Sequence, residues 1–404
     1  MSRLTYYTLL FLLSITPAIL GGSTLYIEQK LYIVLIGWLL MLMCSGIYRS
    51  ILGKIVTFII SALWSLNLSI SLFFYREHDI AFSSSIAETF INTNGSESVR
   101  RDHLGIYGYP HDTTPNLMKE KNNLILFENV YSPAPVTILS VPISLSNIGL
   151  KQLQDKNHYA DNIVSLANHA GFKTYWLSNQ GKGNQKTSVI SVIANMAQNK
   201  KWNEFIGYDE ELLPHLDKAL NEPSTQKKLI ILHTYGSHEP ACNRFPNQDL
   251  KKFTQQEDDN CYDSSIAYTD KLINNIIERV KDKPASILYF ADHALQRLDK
   301  NKEIRYHHGV NTPRKEAYNI PLFIWYSPST IKPIISNEVL KKPYSTENNY
   351  WLLSSWLGIE HNSPNKCYSP LDDCYKPKSP IMVIDGNRNL LNYNLLSSEE
   401  QEPQ

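Results

Sequence analysis

The amino-acid sequence predicts an α/β fold with a mostly parallel sheet, preceded by N-terminal transmembrane helices. Three apolar, nearly uncharged runs occupy the first 75 residues, and apolar runs of strand length alternate with helical patterns after residue 90. Such alternation is typical of a parallel sheet with helices on both faces. We therefore predict a membrane domain at residues 1–75, a polar connector at 76–90, an outer domain at 91–396 and a disordered tail at 397–404.

The apolar runs at residues 4–20, 31–48 and 51–75 predict three transmembrane helices. A transmembrane helix needs about 20 apolar residues, so the third run is long enough and the first two are slightly short. A cleaved signal peptide is the alternative for the first run, but two further runs follow it directly. Three spans place Arg3 and the Arg49/Lys54 pair on one side, and basic residues favour the cytoplasmic side. Residues after 75 are therefore expected outside the cytoplasm.

Apolar runs and two helical patterns outline the outer domain. The predicted strands are residues 124–127, 174–177, 229–232, 287–290, 322–326 and 381–384. A helix at 161–170 is expected to stop at Gly171. Apolar residues three to four positions apart between Ile266 and Val280 predict a helix with one buried stripe. Residues 89–94 are more polar than a buried strand, which indicates either a short or edge-like strand there or a strand in a different register.

Polar side chains follow the predicted strands at several places. Glu97 and Thr137 each come after a predicted strand, and Asp292 and His293 come after another. Open α/β sheets build their sites at this end of their strands. Two carboxylates, a hydroxyl and an imidazole at one sheet edge predict a divalent-cation site that contains a nucleophile.

Two prolines precede Thr137. Pro133 and Pro135 indicate that a helix starts at or just after Thr137. The positive end of such a helix would stabilise an incoming phosphate. An ordinary helix cap is the alternative role for Thr137, and the matching positions of Glu97 and Asp292 favour the functional one.

The charge of the chain excludes one class of partner. The formal net charge is zero and charged residues make up 19% of the chain. Nucleic-acid binding needs a basic surface, so we expect no nucleic-acid partner.

Four cysteines lie in the outer domain and a fifth, Cys44, lies within a predicted span. An even set in an extracytoplasmic domain indicates two disulfide bonds, with buried free thiols as the alternative. Sequence proximity favours Cys242–Cys261 and Cys367–Cys374 among three possible pairings. A zinc site of four cysteines is disfavoured because neither pair has the usual two-to-four-residue spacing.

Motifs along the outer domain occur in an order that is found in one family. They are Glu97-Ser98-Val99-Arg100-Arg101-Asp102-His103, Asp112-Thr113-Thr114-Pro115, Thr137-Ile138-Leu139-Ser140-Val141-Pro142, His233-Thr234-Tyr235-Gly236-Ser237-His238, Tyr262-Asp263, Tyr268-Thr269-Asp270, Asp292-His293 and His308-Gly309. With these motifs the chain resembles the bacterial phosphoethanolamine transferases of the alkaline phosphatase/sulfatase superfamily, membrane enzymes that decorate lipid A or lipopolysaccharide core. The resemblance implies a sulfatase/alkaline-phosphatase-like α/β/α sandwich as the catalytic domain.

The resemblance also implies residue roles. The primary ligands of one Zn²⁺ would be Glu97, Thr137, Asp292 and His293. Thr137 would be the nucleophile, because metal coordination converts a weakly nucleophilic hydroxyl into an alkoxide. His238 and His308 would contact the phosphate and move protons. Their neighbours His233 and His307 are expected to be structural.

The function implied by the resemblance is transfer of phosphoethanolamine from phosphatidylethanolamine to lipid A or lipopolysaccharide core through a covalent phospho-threonine. The enzyme would be a multi-pass protein of the bacterial inner membrane, with its catalytic domain in the periplasm. The alternatives are another phospho-group transferase or phosphodiesterase of the superfamily, and a catalytically inactive sulfatase-fold binding subunit. An arylsulfatase is disfavoured because residues 137–141 lack the Cys/Ser-x-Pro-x-Arg pattern of those enzymes.

The sequence departs from the family motifs in three loops and in the membrane domain. Asp-His-Gly-Glu reads Asp292-His293-Ala294-Leu295, Ser-His-Gly-Pro reads Ser237-His238-Glu239-Pro240, and Gly-Glu-Ser reads Ser96-Glu97-Ser98. The predicted ligands are retained, and the change at Ala294 and Leu295 motivates the inactive-subunit alternative. The membrane part is also shorter than the five spans typical of the family.

Overall fold

The computed structural model describes residues 81–82, 89–94, 97–153, 156–180, 189–203, 207–300 and 303–399. All of them belong to one unit, Ile80–Gln404. The three predicted spans and Cys44 lie outside the described residues, as does most of the predicted connector. Across the ranges described, no helix has both the length and the apolar character needed to cross a membrane.

The strands and α-helices are numbered in chain order. The strands are β1 (Ala81–Phe82), β2 (Thr89–Asn94), β3 (Leu124–Phe127), β4 (Val130–Tyr131), β5 (Lys173–Ser178), β6 (Asn199–Trp202), β7 (Lys228–His233), β8 (Ala285–Phe290), β9 (Gln296–Lys300), β10 (Glu303–His307), β11 (Leu322–Tyr326), β12 (Tyr344–Ser345), β13 (Ile359–Glu360), β14 (Met382–Ile384) and β15 (Leu390–Asn392). The α-helices are α1 (Pro115–Lys119), α2 (Thr137–Leu145), α3 (Ile163–His169), α4 (Val189–Asn195), α5 (Leu213–Asn221), α6 (Glu257–Val280), α7 (Asn337–Lys341) and α8 (Asn349–Trp356).

Seven strands form the main sheet in the order β3-β11-β8-β2-β7-β5-β6. Strands β8, β2, β7, β5 and β6 run parallel to one another, and β11 is antiparallel to both β8 and β3. The predicted mostly parallel sheet is therefore confirmed. The register pairs Asn94 with both His233 and Phe290. The carboxyl ends of β2, β7 and β8 consequently lie level with one another at one edge of the sheet.

Helices cover both faces of this sheet, as two adjacent residues of β5 show. Thr174 Oγ1 donates to Asn168 Oδ1 in α3 at 2.7 Å, whereas Tyr175 donates to Glu222 Oε2, just after α5, at 2.7 Å. Successive side chains of a strand point to opposite faces of the sheet. Helices α3 and α5 therefore pack on opposite faces, which gives a three-layer arrangement.

Strand β2 differs from its predicted short or edge-like character. It is six residues long and lies at the centre of the sheet, between β8 and β7. Phe90 and Ile91 are buried, and the backbone pairs with a neighbour on both sides along its whole length. Backbone pairing satisfies its polar groups whatever the side chains, so a low apolar content did not exclude a central position.

Two further strands were placed differently or missed by the sequence analysis. The predicted strand at 381–384 is β14, which pairs with β15 in a separate two-stranded sheet. The edge strand β6 reads Asn199-Lys200-Lys201-Trp202 and has no apolar pattern. An edge strand with exposed lysines is a common device against edge-to-edge pairing, and it carries little sequence signal.

Helix α6 has the buried stripe that its sequence predicts. Its buried apolar residues include Ile266, Leu272, Ile273, Ile276, Ile277 and Val280. Full burial of each such side chain contributes roughly 1.5–3 kcal/mol.

The same helix carries two buried carboxylates. Asp263 binds His103 Nδ1 at 2.7 Å, and Asp270 Oδ1 accepts from the backbone N–H of Leu117 at 2.9 Å. Helix α6 therefore fixes the segment that follows Glu97.

The predicted disulfide pairings, Cys242–Cys261 and Cys367–Cys374, are both formed, so the free-thiol alternative is wrong for these residues. The first bond ties the turn at residues 241–244 to α6.

The beginning of the predicted tail is held against the domain. Glu399 accepts from Arg100 Nη1 at 2.9 Å, and the carbonyl oxygen of Ser397 accepts from the Lys315 N–H at 3.0 Å. Residues 400–404 lie outside the described residues.

Candidate metal centre and active site

The turn after β2 positions Glu97 at the carboxyl edge of the sheet. Ser98 has a φ of 68°, a left-handed conformation that is uncommon for residues other than glycine. Its N–H donates to Asp292 Oδ1 at 3.3 Å, and its carbonyl accepts from the Tyr262 hydroxyl at 2.6 Å. The carbonyl of Glu97 accepts from the Ser237 N–H at 2.8 Å. The loops after β2, β7 and β8 therefore hold one another.

Thr137 is the first residue of α2, as its preceding prolines predict. Its Oγ1 donates to Glu97 Oε1 at 2.8 Å and lies 3.1 Å from His293 Nε2. Its N-cap residue, Val136, makes no side-chain cap. The hydroxyl therefore lies at the positive end of a helix whose first N–H groups remain available to an anion.

The donor atoms around Thr137 fit a divalent metal. Ligand atoms of Glu97, His293 and His308 all lie within 4.8 Å of one another. Asp292 Oδ2 is buried without a hydrogen-bond partner and lies 3.7 Å from His293 Nε2. A buried carboxylate oxygen without a partner costs free energy unless a cation or donor satisfies it. The cluster thus has the orphaned oxygen that a bound metal would explain.

The protonation of the ligands agrees with this interpretation. Burial lowers the pKa of His293 to about 4, and its Nδ1 lies 3.0 Å from the carbonyl oxygen of Ala294. Donation from Nδ1 leaves the lone pair of Nε2 facing the cluster. Burial, together with the Asp292 carboxylate, raises the pKa of Glu97 well above its usual value. A positive charge placed between the two carboxylates would therefore be favourable.

Both histidines expected to contact the phosphate lie at this cluster. His238 Nε2 is 3.3 Å from Glu97 Oε1, and the His308 ring centroid is 4.9 Å from that of His293. The His238 and His308 ring centroids are 5.2 Å apart. Glu239 Oε1 lies 3.0 Å from His308 Nδ1. The structure thus brings together all six predicted site residues: Glu97, Thr137, His238, Asp292, His293 and His308.

The neighbouring histidines His233 and His307 face other groups. His233 Nδ1 lies 2.9 Å from Ser178 Oγ, and burial lowers the pKa of His233 to about 4. His307 Nδ1 is 2.8 Å from the carbonyl oxygen of His308. These contacts suit the structural role expected for them.

Two polar residues near the cluster were not predicted. Gln180 Nε2 donates to Glu97 Oε2 at 2.7 Å and follows β5 at the same sheet edge, so the strand-end rule could have found it. Asp209 accepts from the N–H groups of Tyr235 at 2.7 Å and Gly236 at 2.8 Å. It shapes the loop that leads to His238, and no local pattern marks it.

The predicted ligands remain together despite the departures from the family motifs. Ala294 and Leu295 are fully buried, and the contact that Ala294 makes with His293 is through its backbone carbonyl. Any residue offers that carbonyl. The change at residue 294 therefore leaves this contact with His293 in place.

Comparison with known proteins identifies the family of the chain. A family model described as Sulfatase matches residues 96–359. YhbX of Escherichia coli K12, provisionally named as a transferase, is 39% identical over 324 residues, covering 80% of this chain and 59% of the relative. The phosphoethanolamine transferase OpgE of the same organism is 27% identical, covering 78% and 59%. The chain thus spans about 59% of the length of these curated relatives.

Solved structures share the fold. The C-terminal periplasmic domain of EptC from Escherichia coli in complex with Zn has a TM-score of 0.70 and 23% identity, covering 79% of this chain and 96% of that one. The soluble domain of lipooligosaccharide phosphoethanolamine transferase A from Neisseria meningitidis has a TM-score of 0.60 and 21% identity, covering 74% and 97%. The chain belongs to the sulfatase family, and its relatives include phosphoethanolamine transferases.

Proposed function

We propose that this protein is a zinc-dependent transferase that moves phosphoethanolamine from phosphatidylethanolamine to lipid A or lipopolysaccharide core. The observation that carries the proposal is the position of Thr137 Oγ1, between Glu97 Oε1 and His293 Nε2 and at the start of α2. The names of the relatives support the transferred group, and the Zn-bound EptC domain supports the choice of metal.

Glu97, Thr137, Asp292 and His293 would hold the metal. When bound, it would polarise a phosphoryl oxygen and lower the pKa of the Thr137 hydroxyl. Thr137 Oγ1 then attacks the phosphorus, and the bond from phosphorus to the glyceride oxygen breaks. Diacylglycerol leaves with the proton that Thr137 gives up, and phosphoethanolamine remains on Thr137.

The two histidines would move that proton. His238 lies next to Glu97, His308 lies next to His293, and both side chains are partly exposed. Either imidazole can protonate the leaving glyceride oxygen, and in the second step it can accept a proton from the incoming acceptor hydroxyl or phosphate. The N-terminal amides of α2 would stabilise the phosphoryl charge in both steps.

Two-step transfer suits lipid substrates. One site can hold the donor and the acceptor in turn, so two bulky lipids need not bind together. Ile138, next to Thr137, has 63% of its surface exposed and would offer an apolar contact to a lipid chain. The apolar N-terminal sequence and the two disulfide bonds support an inner-membrane protein with this domain in the periplasm.

The test uses the full-length protein in vesicles that contain isotope-labelled phosphatidylethanolamine and lipid A or lipopolysaccharide core. The proposal predicts that the label moves to the acceptor and that this needs zinc. Release of free phosphoethanolamine alone would instead identify a phosphodiesterase. Retention of all label in the donor lipid by zinc-loaded protein would contradict an enzymatic role.

A further inference from the structure

The predicted metal ligands come from two loops that lie far apart in the sequence. Glu97 follows β2, whereas Asp292 and His293 follow β8. A metal needs these side chains at a fixed spacing, so the contacts that join the two loops bear on its affinity. One contact is direct, because the Ser98 N–H donates to Asp292 Oδ1 at 3.3 Å. Further contacts run through Arg100.

Arg100 lies three residues after Glu97, and its side chain is only 6% exposed. Its Nη1 lies 3.5 Å from the carbonyl oxygen of Leu295, in the loop after β8. Two carboxylates also bind this guanidinium. Asp102, from the same segment, places Oδ2 2.7 Å from Nη2. Glu399, from a distant segment, places both of its oxygens 2.9 Å from Nη1. Three segments of the chain therefore meet at Arg100.

Glu399 also binds the loop after β8 directly. Its Oε1 accepts from the Arg297 N–H at 2.5 Å, and Arg297 lies four residues after His293. The Glu399 carboxylate therefore joins the segment that carries Glu97 to the segment that carries His293. Its bonds to Arg100 are charge-assisted, and such bonds are roughly twice as strong as those between neutral groups. Screening by solvent is limited because the Glu399 side chain is largely buried.

The tail segment, residues 397–399, is itself fixed. The Glu399 N–H donates to Glu316 Oε2 at 3.2 Å. In the same turn as Glu316, the carbonyl of Ala317 accepts from the Ala294 N–H at 3.0 Å. This turn thus holds both the tail segment and the loop after β8. Glu399 is presented from an ordered backbone, which lowers the entropy lost in binding its partners.

The origin of this carboxylate matches a departure from the family motif. The motif has glutamate where this chain has Leu295, and residues 294–298 contain no acidic side chain. The contact that Leu295 makes with Arg100 is through its backbone carbonyl. A loop that has lost an acidic residue thus lies beside a guanidinium that receives a carboxylate from the tail segment.

We propose that Glu399 is a positioning residue of the metal centre and holds the Glu97 loop and the Asp292-His293 loop at the spacing that the metal requires. The inference rests on the proposed function for the metal and for the reaction. Glu399 acts through Arg100 and the Arg297 N–H. When this link is cut, the ligands must be ordered by the metal itself, and that cost is subtracted from the free energy of metal binding.

The zinc affinity of the full-length protein in detergent, measured by competition with a chelator, tests the proposal without requiring turnover. Glu399→Gln removes the ion pair with Arg100 and keeps an oxygen that can accept from the Arg297 N–H. We expect it to lower zinc affinity by about 10- to 100-fold, and Glu399→Asp to recover part of the loss. The matched control, Asp217→Asn, removes a carboxylate that is paired with Arg279 at 2.9 Å and should bind zinc like the wild type.

Coupling to Arg100 separates a positioning role from a general loss of stability. Arg100→Lys keeps the charge and removes the planar group that binds two carboxylates. If Glu399 acts through Arg100, adding Glu399→Gln to Arg100→Lys should change zinc affinity by less than about twofold. Full additivity of the two changes would overturn the inference. A lower melting temperature of Glu399→Gln with wild-type zinc affinity would overturn it as well, because a merely structural contact gives that result.

Measuring phosphoethanolamine transfer on the same samples distinguishes this inference from the proposed function. Suppose that the wild type binds zinc and transfers nothing, while Glu399→Gln binds zinc weakly. This result would refute the proposed function and leave the positioning role standing. Transfer by the wild type, with wild-type zinc affinity and rate in Glu399→Gln, would overturn the positioning role and leave the proposed function standing.

Discussion

Thr137 Oγ1 donates a 2.8 Å hydrogen bond to Glu97 Oε1 across 40 residues of sequence. Glu97 reaches this position from the end of β2 at the centre of the sheet, and Thr137 reaches it as the first residue of α2. The contact joins the expected nucleophile to an expected metal ligand, and several consequences can be measured.

Loss of a ligand should remove the metal. Asp292→Asn keeps the size of the side chain and removes the negative charge whose Oδ2 has no partner in the structure. We expect Asp292→Asn, Glu97→Gln and His293→Ala each to lower zinc affinity by more than about 100-fold, since even residues that only orient ligands change affinity by 10–100-fold. Zinc content of the purified variants gives the answer. The exposed Glu338→Gln is the matched control, and a zinc-replete Asp292→Asn protein would refute the ligand assignment.

Variants of His238 and His308 should differ from the ligand variants because they should lose activity and keep zinc. His238→Gln and His308→Gln should slow transfer by about 10²–10⁴-fold and leave the zinc content unchanged, because general acid-base catalysis contributes that much. Rates and zinc content are measured on the same samples, with the exposed His169→Gln as control. Since a His308 nitrogen lies within 4.8 Å of ligand atoms of Glu97 and His293, zinc loss in His308→Gln would show that it is a ligand instead.

Much of this arrangement follows from sequence because strand ends carry their own signal. The strands at 124–127 and 322–326 were predicted with the bounds they have. The residues that follow β2, β7 and β8 lie close together, as the parallel register of these three strands requires. A strand end is recognised in the sequence as a short apolar run followed by polar residues. It needs no knowledge of partners.

The remaining features depend on partners that are distant in sequence. The central place of β2 comes from backbone pairing with β7 and β8, which its polar sequence does not reveal. Asp209 accepts hydrogen bonds from the loop after β7, which only the folded chain brings near it. No local pattern marks Asp209, so tertiary structure was required to find it.

Acid should destabilise the outer domain through His233. Burial lowers the pKa of His233 from its ordinary value of 6.5 to about 4, so the folded domain favours the neutral imidazole. This contribution to stability is fully present above pH 6.5 and is lost as the pH falls towards 4, with an upper limit of roughly 3 kcal/mol. The free energy of unfolding, measured by chemical denaturation, should fall between pH 7 and pH 5 more for the wild type than for His233→Gln. Equal pH dependence of the two proteins would contradict this role.

Reduction should also destabilise the domain. The Cys242–Cys261 bond spans a sequence separation of 19 residues. Closing a loop of this size contributes roughly 3 kcal/mol in the chain-entropy model. We expect reductant, or the double change Cys242→Ala and Cys261→Ala, to lower the melting temperature by several degrees. A melting temperature that does not respond to either treatment would contradict this contribution to stability.

The measurement that bears most directly on the proposed mechanism is the mass of the peptide that carries Thr137. Full-length, zinc-loaded protein is incubated with phosphatidylethanolamine and no acceptor, then digested and analysed by mass spectrometry. We predict a phosphoethanolamine adduct on Thr137 in the wild type and in the exposed control Thr225→Ala. We predict no adduct in Thr137→Ala, and partial labelling in Thr137→Ser, which keeps a hydroxyl. An adduct elsewhere, or transfer at the wild-type rate by Thr137→Ala, would contradict the covalent mechanism and the assignment of the nucleophile.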